Sequence, residues 1–259
     1  WQLKLASRSL KKREKLKRIL SFIKPKKGKK CLEIGCEKGV LGHFLRQQGG
    51  NWYHSDIDRE NVTVTKSLLR DKVFLIDPKQ LNFYDHTFDC VLAVDFLEHI
   101  EDDELFLKEV KRILKRDGSL YITVPKSSRG PILNWLERKL GITADFYGHI
   151  KDGYNLAELK EKLERLKMNI TAHSCYSFFV TEFFELLLNA GYVKFSKTRR
   201  DNNIKGGISP STSVEFKKSR RIFRVYSLIY PVLLLFSQLD RLYQTGYVLM
   251  LEAKNEEIT

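Results

Sequence analysis

Three features of this sequence predict an α/β chain built on a doubly wound parallel sheet. A short apolar run at 31–34 breaks into a turn carrying Gly35 and Gly39, after which Val40, Leu41, Phe44 and Leu45 take up helical spacing; this reads as strand, tight turn, helix. A second strand, NWYHSDID at 51–58, ends in acids about twenty residues further on, the place where such folds hold a pair of ribose hydroxyls. Strand and helix patterns then keep alternating as far as residue 125, as they do when crossover helices cover both faces of a sheet.

Each element follows from its own residues. Residues 2–23 lack Gly and Pro and set Leu16, Ile19, Leu20 and Ile23 on one face among Lys and Arg, which predicts one basic amphipathic helix ending before Pro25. Its apolar stripe can pack on the domain or over the ligand crevice, or it can meet a membrane surface or RNA. Residues 24–30 form a linker with Pro25 and Gly28. Gly35 and Gly39 allow a sharp bend and close approach to a ligand, the amides opening the next helix favour an electronegative group, and Glu33 faces the same crevice. Helices are expected at 40–48, 59–70 and 102–115, and a third strand from Val73 runs into Asp77. CVLAVDFLEHI at 90–100 reads as a fourth strand opening into a helix, and Asp117 with Gly118 turns the chain into strand SLYITV.

Beyond Pro125 come an amphipathic segment at 132–140, a helix at 156–166 with Leu156, Leu159, Leu163 and Leu166 in register, a sixth strand at 169–176 and a last one at 247–253. About seventy residues separate those two strands, where a short turn would suffice. They hold an apolar helix at 178–188, the polar stretch TRRDNNIKGGISPSTS, and an apolar run at 225–236 interrupted by Pro231. That run is too short and broken to span a bilayer. It is expected to form a buried helix closing over the crevice, with a membrane-interface helix as the alternative.

With 259 residues, 42% of them hydrophobic, the chain can bury a full α/β core and is not a disordered polymer. Its net charge of +14 is concentrated: residues 1–30 carry thirteen Lys or Arg against Glu14 alone, and 194–224 carry ten against Asp201 and Glu215. Two basic segments flanking a near-neutral fold suggest an anionic surface, either membrane or nucleic acid. Cys31, Cys36, Cys90 and Cys175 form no CxxC pair, so reduced thiols in a cytoplasmic setting are expected.

Five ordered blocks carry a resemblance: LEIGCEKG at 32–39, SDID at 55–58, IDPKQLNFYDHTFDCV at 76–91, DFLEHI at 95–100 and EVKRILKRDGSLYITVP at 109–125. In these the chain resembles the class I S-adenosylmethionine-dependent methyltransferases, in the small-molecule branch that includes the ubiquinone-biosynthesis O-methyltransferases. The resemblance implies a Rossmann-like seven-stranded sheet of order 3-2-1-4-5-7-6 with the last strand antiparallel. It divides the chain into a basic helix and linker at 1–28, a methyltransferase domain at 29–176 plus 246–259, and a helical insertion or lid at 177–245. S-adenosylmethionine is the implied cofactor and S-adenosylhomocysteine the product.

By the same resemblance Glu33, Gly35 and Cys36 line the methionine side beside the Gly39 turn, and Asp56 takes the ribose hydroxyls with Ile57 against the adenine. Asp77 and Pro78 meet the adenine amino edge, and Asp95 lies next to the methyl group. His99 is the candidate proton acceptor, with a hydrogen-bonded structural residue as its alternative, and His149 is a weaker candidate base. Asp95, Glu98 and His99 would share one helical face if a helix begins at Asp95. Similar sets hold a divalent cation in the resembling quinone enzymes, but no metal is assigned here. Glu37 stands where the family usually has glycine, and is expected to impose an ordinary backbone conformation there.

The expected function is in-line methyl transfer to a small acceptor, lipid- or glycan-linked. The expected location is cytoplasmic, with peripheral contact to the inner membrane face through 1–23 or 217–242. An RNA methyltransferase or RNA-binding protein using the basic arms is the rival, though DFLEH differs from the Asn/Asp-Pro-Pro-aromatic signature of exocyclic-amine methylases. A non-catalytic membrane- or partner-binding module on the same fold is the third reading.

Overall fold

The computed structural model describes residues 1–24, 27–127, 130–141, 148–195, 217 and 220–255. Tyr147 and the polar stretch at 198–213 lie outside the described residues. Seven strands form one sheet: β1 (Lys30–Ile34), β2 (Asn51–Asp56), β3 (Val73–Leu75), β4 (Phe88–Val94), β5 (Leu114–Pro125), β6 (Met168–Tyr176) and β7 (Val248–Asn255). Their order is β3-β2-β1-β4-β5-β7-β6, with β7 antiparallel to both β5 and β6 and the other pairs parallel. This is the expected topology. β1 and β4 are apolar almost throughout because helices cover both faces of the sheet centre.

On one face α5 (Asp103–Ile113) and α7 (Leu156–Arg165) bury Phe106, Leu107, Leu159 and Leu163 against Leu32, Ile34 and Val91. On the other, α2 (Leu10–Phe22) and α3 (Val40–Gln48) bring Ile19 and Leu45, with Ile23 just beyond α2, onto Cys31, Trp52 and Leu92. The basic amino-terminal segment is therefore a layer of the core. From the adjacent strands β1 and β4 the chain leaves toward opposite edges of the sheet, which opens a crevice at their carboxyl ends.

Several elements depart from the sequence expectation. The single helix over 2–23 is broken into α1 (Gln2–Ala6) and α2, because the Ser9 side chain accepts from the Lys12 amide and caps a new start. The second strand stops at Asp56, and Asp58 caps α4 (Arg59–Leu69) by accepting from the Glu60 and Asn61 amides. No α-helix opens at Asp95; a single 3-10 turn covers Leu97–His99, and α5 starts afresh behind its cap, Asp102. After α6 (Gly130–Leu140) and α7, α8 (Phe179–Phe195) precedes α9 (Arg220–Phe236), which continues through Pro231. α9 buries Tyr230 and Leu233 against Leu10, Phe184 and Leu188, yet leaves Leu228 79% and Leu235 72% exposed. A fully buried helix closing over the crevice does not form; one side of it faces solvent.

Candidate functional site

The end of β1 bends at Gly35, with φ of +82°, where a Cβ would lie 2.6 Å from the Val94 carbonyl oxygen of β4. Only glycine lets the two strands approach this closely. The Gly35 and Cys36 amides both donate to the Ser55 carbonyl, at 2.9 and 3.1 Å, which ties the turn to β2. Gly39, also at positive φ, is the cap of α3, and a Cβ there would lie 3.0 Å from the Thr65 side chain.

Glu33 is fully buried behind this turn, and its Oε2 lies 2.6 Å from His54 Nδ1. Arg46 Nε donates to His54 Nε2 at 3.0 Å. Since a guanidinium can only donate, Nε2 must be the acceptor and Nδ1 carries the proton that goes to Glu33. Glu33 Oε1 is buried with no hydrogen-bond partner among the described residues. Gly42 makes room for this arrangement, since a Cβ there would sit 2.6 Å from the His54 ring and 2.8 Å from Glu33 Oε2.

Asp56, 4% exposed, accepts from the Glu37 amide at 3.0 Å, the Asp58 amide at 3.0 Å and Asn61 Nδ2 at 3.3 Å. A carboxylate has about four acceptor sites, so one is left for a ligand. Burial raises the Asp56 pKa, against the lowering effect of these bonds. Glu37 takes φ of +48°, not the ordinary conformation expected for a glutamate. Its amide bond to Asp56 and its carbonyl bond from Thr65 Oγ1 at 3.0 Å hold it there. Its carboxylate turns to Lys12 Nζ at 3.2 Å, and that ammonium holds it well below the usual carboxylate range.

Ile57 is 40% and Leu75 42% exposed at the ends of β2 and β3, an apolar wall on the outer side of the crevice. Asp77 is exposed and accepts from the Lys79 amide at 2.8 Å; Pro78 beside it is half-buried.

A cleft beside the glycine-rich turn is lined by Glu33, Gly35, Cys36 and Glu37 on one side and by Gln2, Lys12 and Lys15 of the amino-terminal helices on the other. Asp56, Ile57, Asp77, Pro78 and Asp95 do not line it. Cys36 is buried against Thr65, and burial followed by the nearby Glu33 and Asp56 charges keeps its thiol protonated. All four cysteines are free.

Asp95 follows β4 at φ of +44°. Its Oδ2 meets Lys15 Nζ at 2.6 Å and its Oδ1 accepts from Thr123 Oγ1 at 2.8 Å. Burial would raise its pKa, but the Lys15 ammonium and these two hydrogen bonds bring it below the ordinary value. Because no helix begins at Asp95, it does not share a face with Glu98 and His99. Instead the loop at 148–151 docks on the 3-10 turn, the Ile150 amide donating to the Glu98 carbonyl at 2.8 Å. His149 thereby replaces Asp95 in the cluster: ligand atoms of Glu98, His99 and His149 lie within 4.8 Å of one another. His99 Nδ1 is 3.1 Å from the Gly148 carbonyl, which can only accept, so the neutral ring presents Nε2 as its acceptor. Tyr154 is a buried anchor for this loop, donating to Asp103 at 2.7 Å.

Residues 32–122 match the family model described as a methyltransferase domain. They include the glycine turn, the acids Glu33, Asp56, Asp77 and Asp95, and the 3-10 turn. Over these residues the chain is similar to the class I, S-adenosylmethionine-dependent methyltransferases. Curated proteins to which it is similar include ubiquinone biosynthesis O-methyltransferases. That of Pelagibacter ubique is 30% identical over 109 residues, which cover 40% of this chain and 45% of the relative. The mitochondrial protein of Bos taurus is 33% identical over 114 residues, covering 39% of this chain and 30% of its own. The match thus spans less than half of either relative. Among solved structures, a SAM-dependent methyltransferase from Aquifex aeolicus aligns with TM-score 0.50 at 18% identity, covering 62% of this chain and 84% of its own. The YcgJ protein of Bacillus subtilis aligns with TM-score 0.57 at 13% identity over 93% and 98% of the two chains. These two share the fold of the methyltransferase domain.

The residues present fit the cofactor of this family. Glu33 Oε1 offers an unmet acceptor to an ammonium, and Asp56 keeps one acceptor site. Sequence reasoning did not find Lys12, Lys15 or His54. Lys12 and Lys15 are one helical turn apart on α2, but nothing local connects them with acids at Glu37 and Asp95.

Proposed function

We propose that this chain transfers the methyl group of S-adenosylmethionine to a small acceptor by in-line displacement. The cofactor, when bound, supplies a sulfonium methyl that is already a good electrophile. What the protein must add is position, exclusion of water and a place for the acceptor's proton. Glu33 would hold the ammonium of the methionine portion, Asp56 the ribose, and Ile57 with Asp77 and Pro78 the adenine. Lys15 and Asp95 flank the methyl end. His99 Nε2 takes the proton when the acceptor arrives as a hydroxyl or amine, with His149 beside it. The buried, unmet Glu33 Oε1 beneath the Gly35 bend carries this reading. The lid-sized insertion and the quinone-type DFLEH block support a lipid- or glycan-linked acceptor, and the names of the curated relatives favour the lipid-linked one.

Calorimetric titration tests the first half. S-adenosylhomocysteine should bind saturably to the wild-type chain, and Glu33→Ala or Asp56→Ala should weaken it by about 10- to 100-fold, the loss of a charge-assisted hydrogen bond. Absence of saturable binding would end the proposal. For the second half, His99→Gln should leave cofactor affinity within about twofold and lower methyl incorporation into extracted lipids by about 10²- to 10⁴-fold.

A second role for His99 is favoured by the cluster it forms with Glu98 and His149, whose donor set suits a divalent cation beside the acceptor. Activity that survives extensive chelation would leave His99 as the proton acceptor; activity restored by added divalent metal would favour the ion.

A further inference from the structure

We infer that α9 is a membrane-surface helix that seats the enzyme on an anionic bilayer. The inference concerns attachment, and stands apart from the proposed chemistry.

Leu228, Val232, Leu235, Leu239 and Leu242 recur at steps of three and four residues along α9 and the 3-10 turn that continues it, and all are exposed, between 46% and 79%. Such spacing sets them on one side of the helix. The opposite side is committed: Tyr230 and Leu233 pack into a cluster with Leu10, and the Asp240 carboxylate accepts from the Val180 and Thr181 amides at 2.7 and 3.0 Å. The element is thus fixed to the fold by one face while presenting leucines with the other. A stripe of this length and character is larger than the scattered apolar residues of an ordinary surface.

Charge identifies what covers it. Lys217 and Arg224 before the stripe and Arg241 within its last turn are exposed, and the chain carries +14. A second copy would bring the same cations to the same face and be repelled; an anionic lipid surface attracts them while its acyl boundary accepts the leucines. The helix does not cross the bilayer. Its 17 residues fall short of a span, and no described helix is long and apolar enough to cross a membrane. Exposed Trp135 and Ile132 on α6, which packs on α8 as the 3-10 turn does, supply further interfacial side chains.

Flotation of the full chain without cofactor tests this directly. The wild type should float with vesicles of equal phosphatidylcholine and phosphatidylglycerol, less as salt is raised, and poorly with phosphatidylcholine alone. The double substitution Leu228→Glu, Leu235→Glu alters two largely exposed side chains, so melting temperature and S-adenosylhomocysteine affinity should not move, whereas vesicle affinity should fall at least tenfold. The inference is overturned if the wild type does not float at low salt, or if the double variant floats as well as the wild type. It is equally overturned if light scattering shows a wild-type dimer that the double variant dissolves without any vesicle affinity in either. Because no cofactor is present, failure here would leave the methyl-transfer reading standing, and failure of cofactor binding would leave this one.

Discussion

β1 and β4 are neighbours in the sheet, and each ends beside a carboxylate, but the two acids are in opposite states. Glu33 is wholly buried, is held on one oxygen by a neutral histidine and has its other oxygen unmet. Asp95 is partly exposed and satisfied on both oxygens, by Lys15 of α2 and by Thr123 of β5. The β1 site is built from adjacent strands and leaves one carboxylate oxygen open. The β4 site is already answered by a cation from the amino-terminal helix. The same residue class at equivalent positions is therefore in different states: Glu33 keeps an acceptor oxygen open, whereas both oxygens of Asp95 are met, one of them by Lys15.

The harshest way to break the comparison is Gly35→Ala. A Cβ at 2.6 Å from the Val94 carbonyl forces β1 and β4 apart at a positive φ, so stability in urea should fall by about 2–4 kcal/mol and cofactor binding should be lost. Less severe is His54→Leu, which removes the partner of Glu33 and strands a buried carboxylate. Urea unfolding should show a loss of about 2–3 kcal/mol, with cofactor affinity down along with it. Lys15→Met acts on the β4 side only. It frees Asp95 for the cationic sulfur, so the affinity ratio of S-adenosylmethionine to S-adenosylhomocysteine should rise by about three- to tenfold in calorimetry. Stability should change by about 1 kcal/mol or less, because both side chains keep contact with water.

The pH profile of that last, smallest effect sharpens the contrast. The Asp95 pKa is lowered in the fold, so its contribution is present above its unfolded value near ~4 and is lost as pH falls through the folded one. The Lys15 pKa is raised, since Asp95 and Glu37 outweigh its burial; its contribution is complete below about 10.4 and is lost as pH rises through the folded value. The stability difference between wild type and Lys15→Met should be flat from about pH 5 to 9 and shrink as pH falls below the unfolded Asp95 value of about 4. A difference that grows on acidification would mean the pair is not what Lys15 contributes.

The strand-tip acids and the glycines were legible in the sequence because a parallel strand, its turn and the following helix are specified by a dozen consecutive residues. Asp58, the last acid of the NWYHSDID block, caps α4 through an equally local contact. The expected helix at Asp95 failed because periodicity in DFLEHI cannot report that Asp95 is drawn to Thr123 and Lys15 at left-handed φ. Glu37 was misjudged likewise: its strained backbone is held by Asp56 and Thr65, both remote in sequence. The site is legible where its residues are neighbours along the chain and illegible where they meet through space.

The strands themselves, the bend after β1 and the acids at the strand tips were determined by the sequence alone, since hydrophobic period and glycine placement act over a single turn or strand, whereas the strand order was legible only through the family resemblance. Only the tertiary structure decided that α2 reaches Glu37 and Asp95 with two lysines, that His149 stands with Glu98 and His99, and that α9 keeps one leucine face outward. Each of these pairs groups dozens of residues apart, and their partnership depends on how helices settle against the finished sheet.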